Sequence, residues 1–303
     1  MSAPSRSAPL RGFLLICAAA VSWGTTGSVT TLLVAQSDVT PLVIAAVRVL
    51  AGAVLLLAGA WLIDGSLRIA RADRWRCVAM GVAMAVFQAS VFTAVTLSGI
   101  ALTALIAICS APLVIAGLAW AFLGERPTTR VGIALALGVV GTALLIVGPR
   151  GLTDVSSRLL AGAGLAFTAG VAYGTYVVIT KATLARSAPL PMAGLSFAVA
   201  TLALAPALAA PDALRQLAVG WPWLVYLGAV TTAGAYAAYT IGLRDVSASV
   251  AGIASLVEPL TATLLGVVVF GERLGVAGGA GAVLLLSALA LLVRTEQRAA
   301  TRA

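Results

Sequence analysis

The chain contains no histidine, and charge is scarce: Lys, Arg, Asp and Glu together make up 10% of its 303 residues. The first absence removes His-based acid–base catalysis, His proton relays and the common zinc sites. The second removes a soluble globular domain, which carries about a quarter of its residues as charges and uses them to cover its surface. No Gly-x-x-x-x-Gly-Lys-Ser/Thr stretch occurs, so the chain has no phosphate-binding loop with which to use ATP. Cys17, Cys77 and Cys109 stand singly in or beside apolar runs, which gives no disulfide framework and reads as three small buried hydrophobes. No paired-carboxylate motif is visible, so an intramembrane enzyme is not the expectation, and neither is a cofactor or a metal.

What the chain has is apolar sequence: it is 61% hydrophobic, with a mean hydropathy of +1.09. A hydrocarbon core of about 30 Å asks for roughly 20 apolar residues per helix. Runs that meet this lie at approximately 12–34, 41–62, 78–97, 101–123, 129–148, 159–180, 190–210, 221–243, 246–269 and 274–293, ten in all. The start resembles a signal peptide, but its apolar run continues past Trp23 to Val34 without a convincing cleavage site and reads as the first span. The links between runs are too short for a soluble domain, so residues 1–303 read as one all-α membrane domain.

Net charge is +9, from 19 basic and 10 acidic residues. The basic residues are scattered between apolar runs and form no patch with interleaved aromatics, so nucleic acid is not an expected partner and the lipid bilayer is. With ten spans and a cytoplasmic N-terminus, 14 of the 19 basic residues fall on the cytoplasmic side. Only Arg150, Arg158, Arg215 and Arg273 fall opposite, and Arg48 lies inside a span. That bias predicts an even number of crossings with both termini in the cytoplasm.

The sequence also repeats. PLVIAGLAWAFLGERPTTRVG from Pro112 aligns with PLTATLLGVVVFGERLGVAGG from Pro259, and SWGTTG from Ser22 aligns with AYGTYV from Ala172. Repeat one covers about 12–148 and repeat two about 159–293. Five crossings per repeat would leave the second copy inverted relative to the first, the arrangement of many secondary transporters.

Trp23 and Gly24 in the first span, Arg48 in the second, and a Pro followed by Gly-Glu-Arg in both halves resemble the EamA-type branch of the drug/metabolite transporter superfamily. The chain looks most like its YddG-type amino acid exporters, with homoserine/threonine-type exporters as close competitors. The resemblance implies a bacterial inner-membrane carrier, a basket of helices around a central cavity, and a monomer or weak homodimer. The cavity would be built from the first, third, fourth, sixth, eighth and ninth spans. The implied function is export of amino acids or similar small metabolites, aromatic and neutral amino acids included, by alternating access; drugs or other metabolites are the alternative cargo.

The residues themselves single out a candidate cavity. Glu258 lies within the ninth span as drawn, where lipid exposure would cost about 3 kcal/mol. It reads either as a cavity carboxylate that binds a substrate ammonium or titrates with transport, or as a cap for a helix restarting at Pro259. Proton coupling through Glu258 and passive facilitated flow both remain open. Arg48 reads either as a receptor for a substrate carboxylate or as an internal clamp. Trp23, Thr26, Tyr173 and Tyr176 stand beside Gly24 and Gly174, candidate flexible points. Gln88 and Thr93, with Tyr236 and Tyr239, are the polar points of the third and eighth spans. Pro112 and Pro259 are candidate breaks or hinges. Glu125 and Glu272 close the two repeated motifs and read as caps for the following helix or partners of Arg126 and Arg273.

Overall fold

The computed structural model describes residues 8–36, 40–147, 157–209, 213–271 and 275–302, and every regular element among them is helical. Glu272 and Arg273 lie outside the described residues. In chain order the helices are α1 (Ala8–Gly24), α2 (Thr26–Gln36), α3 (Pro41–Asp64), α4 (Arg74–Leu118), α5 (Thr129–Val147) and α6 (Ser157–Thr183). They continue as α7 (Pro189–Leu204), α8 (Ala213–Gly228), α9 (Ala235–Leu243), α10 (Ala248–Ala254), α11 (Val257–Phe270) and α12 (Val276–Arg302).

Local sequence sets the ends. α3 starts after an extended Thr40 with Pro41 in its first position, where the missing N–H would have had no helical partner. It stops at Gly65 in the left-handed region (φ 62°), whose N–H bonds the Trp61 carbonyl at 3.1 Å. The glycine of each Gly-Glu-Arg triplet does the same work: Gly124 (φ 67°) and Gly271 (φ 68°) are both left-handed caps. That is one physical reason the motif recurs.

Among the described residues, nine helical stretches are long and apolar enough to cross a bilayer, against the ten read from sequence. The difference lies in Arg71–Leu123, one stretch of 53 residues. A straight helix of that length would measure about 80 Å, far beyond a hydrocarbon core of about 30 Å. It doubles back at Gly99, whose backbone (φ 80°, ψ 165°) is open to glycine alone. The reversal is visible against α6. Thr96 accepts from Arg158 and the Phe87 ring meets Tyr173, so the arm before Gly99 runs against α6. After Gly99, Ser110 meets Gly170 and Val114 meets Gly174, so the second arm runs with it.

Side chains divide by face. Val54 and Leu62 of α3, Phe167 of α6, Leu202 of α7, and Val268 of α11 are exposed. In water such a surface would aggregate; in lipid it is the required coat. Inside, helices approach through glycine, and the close approaches come in matched pairs. A Cβ on Gly12 would lie 2.7 Å from Asp245 Cβ, and one on Gly162 2.6 Å from Ser98 Cβ. Gly24 meets Thr261 as Gly174 meets Val114, and Gly81 meets Val199 as Gly228 meets Ala51. In each pair the second contact is the first moved along by one repeat, with the halves exchanged.

Two glycines in open space separate backbone need from packing need, since a Cβ on Gly99 or Gly59 meets nothing within 4 Å. Gly99→Ala is expected to lower stability by about 1–3 kcal/mol, because alanine does not tolerate that backbone. Gly59→Ala, within helical α3, is expected to be neutral or stabilising by up to about 1 kcal/mol. Thermal denaturation of the detergent-solubilised variants reads both, and equal effects would contradict the assigned role of Gly99.

Candidate functional site

Two interrupted helices meet at the centre. α1 stops at Gly24 and α2 starts at Thr26; α10 stops at Ala254 and α11 starts at Val257. A Cβ on Gly24 would lie 2.5 Å from Thr261 Cβ and 2.7 Å from the Glu258 carbonyl oxygen, so the interruptions lie against each other. Thr25 Oγ1 donates its only proton to the Ser22 carbonyl at 2.7 Å, so the Tyr226 hydroxyl, 2.9 Å away, donates to Thr25. These bonds replace part of the lost helical ladder. Glu258 and Pro259 occupy the first turn of α11. Proline fits there because it lacks an N–H, and a carboxylate fits because the helix N-terminus is positive. Pro259 follows the break and does not interrupt a running helix.

The other two expected hinges are corrected. α6 runs unbroken through Gly174, and α4 runs helical through Pro112. Gly174 serves packing, since a Cβ there would lie 2.7 Å from Val114 Cγ1. The irregularity of α4 falls instead at Gly99 and in the π turn Ala119–Leu123 that follows the helix.

Around the two breaks stands a box of rings. Trp23 has the rings of Tyr236, Tyr239 and Tyr173 at 5.0, 5.3 and 6.2 Å. Tyr176 meets Tyr236 at 6.0 Å, Phe197 meets Tyr236 at 4.7 Å, and Phe87 meets Tyr173 at 5.3 Å. All four named tyrosines and Trp23 are buried. Among the described residues, several of their polar atoms form no hydrogen bond within 3.5 Å, namely Trp23 Nε1 and the hydroxyls of Tyr173, Tyr176 and Tyr239, although Tyr173 and Tyr239 face each other and Tyr176 faces Thr240. Gln88 Nε2, Thr240 Oγ1 and, at the start of α2, Thr26 Oγ1 share that condition. A buried polar atom without a partner costs about 1–3 kcal/mol, so a concentration of them marks a place for a ligand or water. Tyr236 is the exception, its hydroxyl resting 3.8 Å from Met84 Sδ.

Charge borders the box. Arg48, 7% exposed, donates from Nε to Thr232 Oγ1 at 3.1 Å and from Nη2 to Thr231 Oγ1 at 3.5 Å. Both threonines lie in the π turn Ala229–Gly234, and both hydroxyls donate to the Leu227 carbonyl, which leaves their lone pairs to the guanidinium. Neutral groups thus hold Arg48. Glu258 interacts electrostatically with Arg48, Tyr173 and Tyr236, yet among the described residues its carboxylate has no hydrogen bond and no ion pair within 4.0 Å. Thr93 is a correction: it is exposed, its helix having turned Ser90 and Gln88 inward.

The sequence reading missed Phe87 and Phe197, which carry no polar signal, and Thr231 and Thr232, whose role depends on a π turn. It also missed a clasp at one end of the bundle. Lys181 Nζ donates to the carbonyls of Leu243, Arg244 and Val246 at 2.8, 3.2 and 2.7 Å. Glu125 accepts from the N–H groups of Ala248 and Ser249 and from Ser249 Oγ at 2.7, 3.1 and 2.8 Å. The loop between α9 and α10 is therefore held at both ends. Glu125 caps a helix of the other half, not the following one as expected.

The sequence pattern of the EamA-like transporter family matches residues 10–147 and again residues 160–294. The uncharacterized transporter YwfM of Bacillus subtilis (strain 168) is 35% identical over 298 residues, spanning 95% of both chains. The uncharacterized inner membrane transporter YicL of Salmonella typhimurium (strain LT2) is 26% identical over 305 residues, 97% of this chain and 98% of that one. A solved crystal structure superposes with a TM-score of 0.78 at 22% identity, covering 97% of this chain and 99% of the other, a likeness of fold. The chain belongs to the EamA-like transporter family: it is a multi-pass membrane transporter and not an enzyme.

Proposed function

We propose that the chain is a secondary transporter of the YddG type, which exports amino acids or similar small zwitterions across the bacterial inner membrane. It would work by alternating access through ten crossings in two inverted five-helix halves. The double match to one family pattern, the reversal at Gly99 and the paired glycine contacts support the halves. The distribution of basic residues supports cytoplasmic termini.

The observation that carries the cargo is the box of unpartnered polar atoms bordered by one cation and one anion. Arg48 can take a substrate carboxylate and Glu258 an ammonium, while the unpaired Trp, Tyr and Gln atoms bond the groups between them. Ring faces suit an apolar or aromatic side chain. A second reading rests on the same rings with Glu258 alone, a receptor for a hydrophobic cation and hence for drug export.

Counterflow into liposomes holding the purified protein separates the two cargoes. Preloaded amino acids should drive saturable uptake of labelled threonine, methionine or phenylalanine; no uptake of any by folded, inserted protein would shift the reading to drugs or other metabolites. At the site, Arg48→Gln should weaken amino acid affinity about 10–100-fold, the worth of a charged hydrogen bond. Glu258→Gln should keep counterflow and lose dependence on a proton gradient; unchanged gradient dependence would remove Glu258 from coupling. The clasp holds one end shut in this reading. With the native cysteines removed and a cysteine at Gln88, Lys181→Met and Glu125→Gln should each speed labelling by a water-soluble maleimide added from the clasp side. Unchanged rates would make the clasp a static brace.

A further inference from the structure

The link between α3 and α4 forms one wall of a groove of about 610 Å³, closed on the other side by α7 and lined by Leu67, Arg68, Ile69, Arg71, Arg74 and Leu195. Three arginines thus line one concave surface. Among the described residues none of the three side chains has a hydrogen bond or an ion pair, and Arg68, Arg71 and Arg74 are exposed. Neither nearby acid neutralises them: Asp64, exposed at the end of α3, forms no ion pair with any of the three among the described residues. Asp73 is fully buried and turned to other partners, accepting from Arg186 at 2.5 Å, Arg76 at 3.2 Å and Ser187 at 3.0 Å.

The apolar surroundings decide what kind of anion fits. Trp61, Leu62 and Ile63 at the end of α3 are exposed, and so is Trp75, with the Arg76 guanidinium 5.7 Å from the centre of its ring. This is the aromatic and basic collar of a bilayer interface. From the groove, exposed apolar residues continue along both flanking helices, Val54 and Leu55 on α3 and Leu202 on α7. A free anion would use the arginines and leave that path empty, whereas a lipid uses both. Basic pockets between membrane helices hold anionic headgroups in this way.

We infer that the groove binds the headgroup phosphate of an anionic phospholipid, with the acyl chains lying along α3 and α7. The bound lipid would brace the link that Asp73 ties, through Arg186 and Ser187, to the connection between α6 and α7.

Native mass spectrometry of the full chain in detergent, titrated with phosphatidylglycerol, cardiolipin and phosphatidylcholine, tests this. The expected result is retention of the two anionic lipids over phosphatidylcholine, with each Arg→Gln change at positions 68, 71 and 74 lowering it by about fivefold. The triple variant should bind all three lipids alike. Arg126→Gln with Arg130→Gln, two exposed residues elsewhere, should keep the preference, and circular dichroism and melting of every variant should match the parent. Equal binding of all lipids by the parent would overturn the inference. So would an equal loss in the Arg126/Arg130 control, which would leave only a general basic surface, or full displacement by inorganic phosphate, which would make the site one for free anions.

Discussion

A peptide group inside hydrocarbon has no water to bond, so a helix can be interrupted there only where protein supplies the missing partners. Both interruptions at the centre of this chain obey that constraint. Thr25 bonds both the Ser22 carbonyl and the Tyr226 hydroxyl beside the first, and the second is followed at once by a helix start whose first turn holds Glu258. Gly24 makes the meeting possible, because any side chain there would strike Thr261. The arrangement of the aromatic box follows from this crossing, since Trp23 lies in the last turn of one broken helix and Glu258 in the first turn of the other.

The two halves keep the same contacts and differ in chemistry. Gly24 and Gly174 approach the other half in the same register, yet only the first lies at a break. Pro259 opens a helix while Pro112 sits inside one, and Glu258 has Ala111 as its counterpart. Steric constraints between helices are shared by both copies, so small residues persist at both. A charge borders only one site, so it is needed once. In the proposed cycle each half contributes one broken helix, α1–α2 from the first and α10–α11 with the carboxylate from the second, and their unbroken counterparts α6 and α4 supply rigid walls.

The membrane class and the transporter family were legible in the sequence, and so were most of the side chains that the structure gathers into the box, because hydropathy, spacing and a rare buried charge are local signals. Arg48 stood out as a charge within a span, Gln88, Tyr236 and Tyr239 as polar points of their spans, and Trp23, Tyr173 and Tyr176 as aromatics beside glycine. What was not legible depends on three-dimensional pairing. Thr231 and Thr232 matter only because a π turn aims both hydroxyls at Arg48. Glu125 looked like a cap for its own neighbour and instead reaches Ala248 and Ser249 across the molecule. Gly174 and Pro112 carry the residue types of hinges, but packing against Val114 and a continuous helix decide otherwise. Thr93 was read as a polar point of the third span facing a cavity, while its helix turns it outward.

The central claim is that Arg48 and Glu258 together read a zwitterion. Its most direct measurement is equilibrium binding, to the protein in nanodiscs, of one amino acid beside its decarboxylated amine and its deaminated acid. The account predicts that the zwitterion binds tighter than either analogue by about tenfold or more, the worth of one charged hydrogen bond. It also predicts that Arg48→Gln erases only the advantage over the amine, and Glu258→Gln only the advantage over the acid. Equal binding of all three, or tightest binding of the amine, would contradict it.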